Sequence, residues 1–303
     1  MSRGELFALI ASEKTEYGVR RLCRVLGVSK TAFYDWAARD GGPTTQEVAE
    51  AHAAHELHAA WAEHRRVYGA RRLTAEIRDR GHDWARKRVA RLMSVAGIEG
   101  AHRRRRGKRA RASDCPAPAP DRVGRQFTVA EPDRLWVADI TYLRSWEGFL
   151  HLAVVMDACS RRVVGWAMAT HLRRELVLVD IHAAVRPIVT PLLVGVLRRP
   201  LESAQYTSYE FGKTLRTSGA LASMGAVGSA YDNAMVESFF ASLKEELIYQ
   251  RSWPTRHELE MEVFSYIEGF YNPKRRHSRL DNLSPAAYEQ LLKEQLTQNE
   301  ASA

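Results

Sequence analysis

The stretch Gly228 to Ile248 carries apolar residues with the period of a half-buried helix, and three of its polar residues do not fit that apolar stripe. They are Asn233, Glu237 and Lys244. Offsets of four and seven put an amide, a carboxylate and an ammonium along one side of that helix. Such a row can serve a metal ion beside a phosphate backbone; the plainer reading is a solvated polar face. A second acid, Asp139, stands inside the apolar, β-branched and aromatic run LWVADITYL, Leu135 to Leu143. An acid within such a strand is costly unless it is bonded to backbone, paired, or bound to a metal.

The elements that must position these groups are legible around them. Met235, Val236, Phe239, Phe240, Leu243 and Leu247 form the apolar stripe of the helix, and Asp232 or Asn233 can cap its start. The strand carrying Asp139 leads through a polar turn, Ser145 to Gly148, to a second strand, Phe149 to Asp157, and a third, Arg162 to Thr170. Connections this short predict an antiparallel meander. Glu175 to Val185 is predicted to be a helix.

The front of the chain is helical and basic. Tyr17 to Arg39 reads as helix, turn, helix, with Leu22, Val25 and Leu26 on the first apolar face, Gly27 at the turn, and Ser29 capping a helix that carries Phe33 and Trp36. A second helical unit follows, with helices predicted from Glu56 and Arg71 and a last one, capped by Asp83, from Trp84 to Ala96. The outer side of that last helix carries Arg86, Lys87, Arg88 and Arg91 and no acid, which predicts phosphate contact. A dense basic run, including Arg103, Arg104 and Arg105, then gives way to CPAPAPD. Charge repulsion and proline favour an extended nucleic-acid tether there.

At the other end, Thr255 and Glu258 form a capping-box pattern. Asn272-Pro273 is predicted to end that helix, and Ser284-Pro285 to open a final one. Between them Lys274, Arg275, Arg276, His277 and Arg279 make a basic loop expected to contact DNA, with His277 structural or phosphate-contacting rather than a metal ligand. The divisions are therefore 1–45, a helix-turn-helix segment; 46–100, a second helical domain; 101–127, a basic linker; 128–250, an α/β core; and 251–303, a helical extension.

The 303 residues carry a net charge of +9, with a pI of about 9.6, which favours a polyanionic partner. Cys23, Cys115 and Cys159 are scattered, so no disulfide framework or zinc site is expected. No apolar run is long enough to span a bilayer, and a cytoplasmic protein without membrane contact is expected.

Taken together, LWVADITYL, the meander, QYTS at Gln205 to Ser208, the stretch from Ser223 to Ile248, and YNPKRRHSRLDNLSPAAYE from Tyr271 to Glu289 resemble bacterial insertion-sequence transposases of family three. The resemblance covers nearly the whole chain and implies a ribonuclease-H-like core: a mixed five-stranded sheet flanked by helices. It implies an Asp, Asp, Glu triad holding two magnesium ions, with manganese as a substitute. It further implies double-stranded DNA as partner, at element ends and target, and a homo-oligomer on that DNA. Asp139 matches the first acid, Glu237 the third, Lys244 a DNA-contacting lysine, and Asn233 is a second candidate for that role.

The second acid departs from the pattern. Counting back from Glu237 by the family's spacing, or anchoring on Gln205 to Ser208, puts its slot at Leu201. Leucine cannot bind magnesium, and Glu202 is one residue off, which in an extended segment turns the side chain away. From about Ala183 to Ser203, with Pro187, Pro191 and Pro200, the expected helix-then-strand pattern is missing, as two compensating frameshifts would leave it. The chain is thus read as a transposase whose cleavage and strand-transfer activity is impaired at Leu201. The alternatives are a catalytically dead DNA-binding remnant or regulator, and a nuclease of the same fold.

Overall fold

The computed structural model describes residues 1–39, 42–102, 129–171, 192–196, 220–223 and 234–301. The chain opens with α1 (Arg3–Tyr17), α2 (Val19–Val25) and α3 (Lys30–Ala38). Ser2 and Glu5 form a reciprocal capping box at the start of α1, a helix the sequence reading passed over although the S-x-x-E signal was there. Gly27 turns the chain at φ +66°, a left-handed conformation that suits glycine, and Ser29 Oγ accepts the Ala32 N–H. The helix-turn-helix expectation therefore holds for α2 and α3, with α1 closing a three-helix unit. Its small core is Phe7, Ile10, Cys23 and Phe33. Val25, expected on the apolar face, is 73% exposed, because α1 covers only the Cys23 and Leu22 side of α2.

The second unit comprises α4 (Thr45–Glu63), α5 (Ala70–Asp79) and α6 (Arg86–Val95). A capping box between Thr44 and Glu47 starts α4 eleven residues ahead of the predicted Glu56. Helix α6 begins at Arg86 with Ala85 at the N-cap, so Asp83 does not cap it; the Asp83 side chain is exposed and only 3.8 Å from Arg78. Leu57, Leu73, Ile77, Val89 and Leu92 fill the interior. The chain leaves this unit beside its own earlier bend. Ala101 N donates to Val67 O, Trp61 Nε1 donates to Glu99 O, and Gly100 lies so close to Gly69 that a Cβ would come within 2.5 Å of the Gly69 nitrogen.

The core sheet holds β1 (Leu135–Ser145), β2 (Gly148–Asp157), β3 (Val163–Ala169), β4 (Leu192–Val196) and β5 (Ala220–Ser223), in the order β3-β2-β1-β4-β5. The predicted meander is present: β1 pairs antiparallel with β2, and β2 with β3. Trp146 and Glu147 form a two-residue hairpin loop, closed by Gly148 at φ +115°. Strands β4 and β5 add in parallel on the other side of β1. This is the mixed five-stranded sheet that the resemblance implied. Strand β4 lies inside the stretch expected to lack the helix-then-strand pattern, so the strand half of that expectation is corrected: a strand parallel to β1 is present there. The helix half lies outside the described residues.

Helix α7 (Ala234–Glu246) packs against β1, followed by α8 (Arg256–Tyr266) and α9 (Pro285–Ala301). Thr255 Oγ1 caps α8, and Ser284 Oγ accepts the Ala287 N–H at the start of α9. Between them α8 continues into a π turn, Ile267–Tyr271, rather than stopping at once. One apolar core runs without a break from Leu57 and Leu73 through Val137 and Val154 to Phe239, Val263 and Phe270. The second helical unit and the sheet domain are thus one packed body.

Candidate active site and nucleic-acid interface

Asp139 sits in the middle of β1, paired in register with Val154 and 8% exposed. Its Oδ1 accepts the Ile140 N–H at 2.8 Å, which fixes the carboxylate's orientation. Strand β4 ends at Val196, which pairs with Ala138, the residue before Asp139. Thr141, two residues on, projects to the same face of the sheet as Asp139. There Thr141 Oγ1 is 2.7 Å from Lys244 Nζ, which also lies 5.3 Å from the Tyr142 ring centroid.

That contact orients α7. Lys244 follows Glu237 by seven residues, a rotation that returns to within about 20° on a helix. Glu237, half-buried, therefore lies on the side of α7 that Lys244 turns to the Asp139 face of β1. Met235, Val236, Phe239, Phe240 and Leu243 hold the helix down, with Phe239 edge-on to Tyr271 at 4.7 Å. Asn233, Leu201 and Glu202 lie outside the described residues, as do Arg103, Arg104 and Arg105 and the helix predicted at 175–185. Among the described residues no three His, Cys, Asp or Glu side chains come together as a metal cluster.

The C-terminal end of α7 is locked by a buried ion network. Glu246 accepts from Arg275 at 2.6 and 2.8 Å, from Arg72 of α5 at 3.1 Å, and from the Tyr266 hydroxyl at 2.8 Å. Burial alone would raise the Glu246 carboxyl, but Arg275 and Arg72 outweigh it and hold it down at about 2. Arg275 also donates to Ser242 Oγ at 3.0 Å. The expectation that Arg275 meets DNA is therefore corrected: its side chain is 4% exposed and bonded to its own chain. Arg276 is likewise engaged, by Glu76 at 2.8 Å and Asp79 at 2.6 Å, with Tyr68 accepting its backbone N–H. His277 is kept neutral, pushed down to about 2 by burial and by the charges of Arg275 and Arg72. None of these roles was legible, because the acids lie 29 to 200 residues away in sequence.

On α6 the expected cationic face divides. Arg86, Lys87 and Arg88 are exposed, with Arg88 4.8 Å from the Trp84 ring centroid. Arg91 is held by both oxygens of Glu50 of α4, at 2.6 and 3.0 Å, so the acid missing from its own helix comes from a neighbouring one. The sequence also gave no warning of Asp157, fully buried at the end of β2. Burial pushes its carboxyl up, while the N–H groups of Ser160 and Asp133 and the Ser160 hydroxyl satisfy its oxygens and shape the β2–β3 turn. No helix among the described residues is long and apolar enough to cross a membrane.

Comparison with known proteins agrees with this layout. Residues 47–106 match the family described as an HTH-like domain, and residues 129–194 and 237–291 match descriptions of an integrase core domain. The chain is 36% identical over 248 residues to the transposase for insertion sequence element IS904 of Lactococcus lactis, covering 82% of this chain and 97% of that one. It is 34% identical to transposase InsF for insertion sequence IS3A of Escherichia coli, covering 93% and 98%. It is 32% identical to the transposase for IS629 of Shigella sonnei, covering 94% and 95%. Among solved structures, the HTLV-2 integrase catalytic core domain in complex with magnesium aligns at 14% identity and TM-score 0.40, over 52% of this chain and 97% of that one. The BIV integrase core aligns at 20% and 0.39, over 55% and 99%. The two structural likenesses are slight, and the family assignment stands on the relatives that match end to end. With its helical front unit docked on an integrase-type core, this chain belongs to the IS3-family insertion-sequence transposases.

Proposed function

We propose that the chain binds the duplex ends of its element through the exposed face of α6 and the α2–α3 unit, and that Asp139 and Glu237 face one site for divalent cations. The observation that carries this reading is the Lys244–Thr141 contact, which turns the Glu237 side of α7 to the Asp139 face of β1. Two hard carboxylates suit magnesium, with manganese as a substitute. When bound, such ions activate the attacking oxygen and neutralise the leaving one in phosphodiester cleavage and strand transfer. The chain's own groups do the positioning. The Ile140 N–H aims the Asp139 carboxylate, and Lys244, seated beside Tyr142, stands where a strand's phosphate would pass. A protein with this function works in the cytoplasm, beside the chromosome, as a homo-oligomer that holds two element ends.

The same reading makes the chain as written a poor catalyst. Leu201 occupies the slot of the second acid, and a site short of one anionic partner loses electrostatic stabilisation worth orders of magnitude in rate. The test is strand transfer of an oligonucleotide carrying the element end, in magnesium and in manganese. We expect activity near background from the natural chain. A gain is expected only when Leu201→Asp is combined with restoration of the surrounding segment, and that gain should be abolished by Asp139→Asn or Glu237→Gln. Clear activity from the natural chain, lost on Glu202→Ala, would show that Glu202 has taken the role. Leu201 also favours a second reading, a DNA-binding regulator. It predicts duplex binding that survives Asp139→Asn and Glu237→Gln with no joining under any condition.

A further inference from the structure

A cleft of about 710 Å³ opens between α7, the β2–β3 turn and the basic loop after the π turn. Four arginines line it: Arg72, Arg161, Arg275 and Arg279, with the hydroxyls of Ser238 and Ser242 on the α7 wall. Two of the four are accounted for, since Arg72 and Arg275 both bind Glu246. The other two are not. Among the described residues, neither Arg161 nor Arg279 has a side-chain hydrogen bond or ion pair. Asp157, whose charge acts on Arg161, already has its oxygens taken by Ser160 and by the Asp133 N–H.

Arg161 is also held in an unusual way. Its backbone is left-handed, at φ +63°, and is pinned there by donation of its N–H to Asp157 O at 3.0 Å. A non-glycine residue in that region carries strain of order 1 kcal/mol or more and persists only where its surroundings impose it. The result is a half-buried arginine that lines the same cleft as Arg279. Burial and the charge of Arg279 both push the Arg161 pKa down, and burial with Arg275 and Arg72 pushes down His277. Both directions accord with the four arginines that line the cleft, while Asp157 and Glu246 act on Arg161 and His277 in the opposite sense.

We propose that this cleft is a phosphate-binding site that seats the backbone of bound DNA, with Arg161 and Arg279 as its contacts. The cleft adjoins the candidate active face. Met156, in its wall, projects to the same side of the sheet as Val154, the partner of Asp139, and Ser238 directly follows Glu237. A strand seated here continues toward the two carboxylates, and the hydroxyl of Ser238 supplies a neutral donor along the way, whereas that of Ser242 donates to Ser238 O. The inference rests on the DNA-binding reading above, and phosphate chemistry could equally come from a free anion.

The experiment is duplex binding by the full chain across a salt series, for the natural protein, Arg161→Gln with Arg279→Gln, and Arg86→Gln with Lys87→Gln. Arg279→Gln alone, at an exposed position, guards against a folding defect, and thermal melting is followed in each case. The cleft variants are expected to bind several-fold more weakly and to flatten the log–log salt slope by about one, the value for one lost phosphate contact. The loss should add to that of the α6 variant, and Arg161→Lys with Arg279→Lys should restore most of the slope. An unchanged slope in well-folded cleft variants overturns the proposal while the α6 variant still reports on DNA binding itself. Inorganic phosphate that raises the melting temperature of the natural chain but not of the cleft variant, with DNA binding unaltered, would assign the cleft to a free anion and overturn the DNA assignment. Absence of duplex binding by the natural chain would overturn both readings together.

Discussion

The two helical units at the front of this chain each hold three helices and are both basic, yet they are built into the molecule differently. Residues 1–39 keep a core of their own, with four fully buried side chains, and no hydrogen bond or ion pair among the described residues joins α1–α3 to a later helix or strand. Residues 42–102 share their core with the sheet domain and are stitched to its helices and C-terminal loop by Arg65–Glu262, Arg72–Glu246, Arg276–Glu76 and the Tyr68 hydroxyl, which donates to Lys274 O. The stitching uses α5 and leaves the Arg86, Lys87 and Arg88 face of α6 exposed. On the proposed DNA-binding reading, DNA on α6 would be held at a fixed position relative to Asp139 and DNA on α3 by a unit with its own stability, so that the second unit would set register and the first would add affinity.

Disturbing the buried network gives the largest expected effect. Glu246→Ala leaves the Arg275 guanidinium buried and unpaired, which typically costs about 3–5 kcal/mol. Denaturant unfolding should show the second unit and the sheet losing stability together, while amide exchange in α1–α3 stays as in the natural chain. Separate unfolding of residues 42–102 in that variant would break the claim that they are one body with the sheet.

Acid should act through the same residue. The folded-state pKa of Glu246, about 2, lies below its ordinary value of 4.5, so its contribution is fully present above pH 4.5 and is lost as pH falls through about 2. That contribution is on the order of 3 kcal/mol. A stability-against-pH profile should fall more gently over this window in Glu246→Gln, whose side chain does not titrate. Identical slopes would mean that other acids govern the acid limb.

A smaller loss is expected from Tyr68→Phe. It removes the donor to Lys274 O and the acceptor for Arg276 N–H, at about 1–2 kcal/mol for two hydrogen bonds. Removing residues 1–39 should have the smallest effect, changing the stability of the remainder by less than about 0.5 kcal/mol while weakening duplex binding. A large drop in melting temperature on that truncation would show that the first unit is also part of the packed body.

What could be read in the residues alone follows the range of the forces involved. Turns, caps and strand alternation are local, so Gly27, Ser29, Ser145–Gly148, Thr255 and Ser284 announced their elements. Thr44 and Ser2 carried equally local signals that were passed over. Asp139 was conspicuous because an acid among apolar strand residues breaks a pattern, and Lys244 because it shares a helix side with Glu237. Arg275 and Arg276 looked like solvent-facing cations because nothing within a few residues shows that Glu246 and Glu76 wait for them. A buried arginine and an exposed one differ only in long-range partners. Asp83 failed as a cap for a related reason: the docking of Trp84, 8% exposed, delays the helix until Arg86.

The contact between Gly100 and Gly69 makes the chain's tolerance to drift lopsided. A methyl group at residue 100 would run into the backbone of residue 69, at 2.5 Å from its nitrogen and 2.6 Å from its Cα, and backbone cannot step aside as a side chain can. A methyl group at residue 69 would meet nothing within 4 Å, and that residue's φ of −87° is open to any amino acid. Two glycines in mutual contact are thus unequal. Lineages of this protein should lose Gly69 freely and keep Gly100, and the exit of the chain from its second unit should stay in place while its neighbour changes.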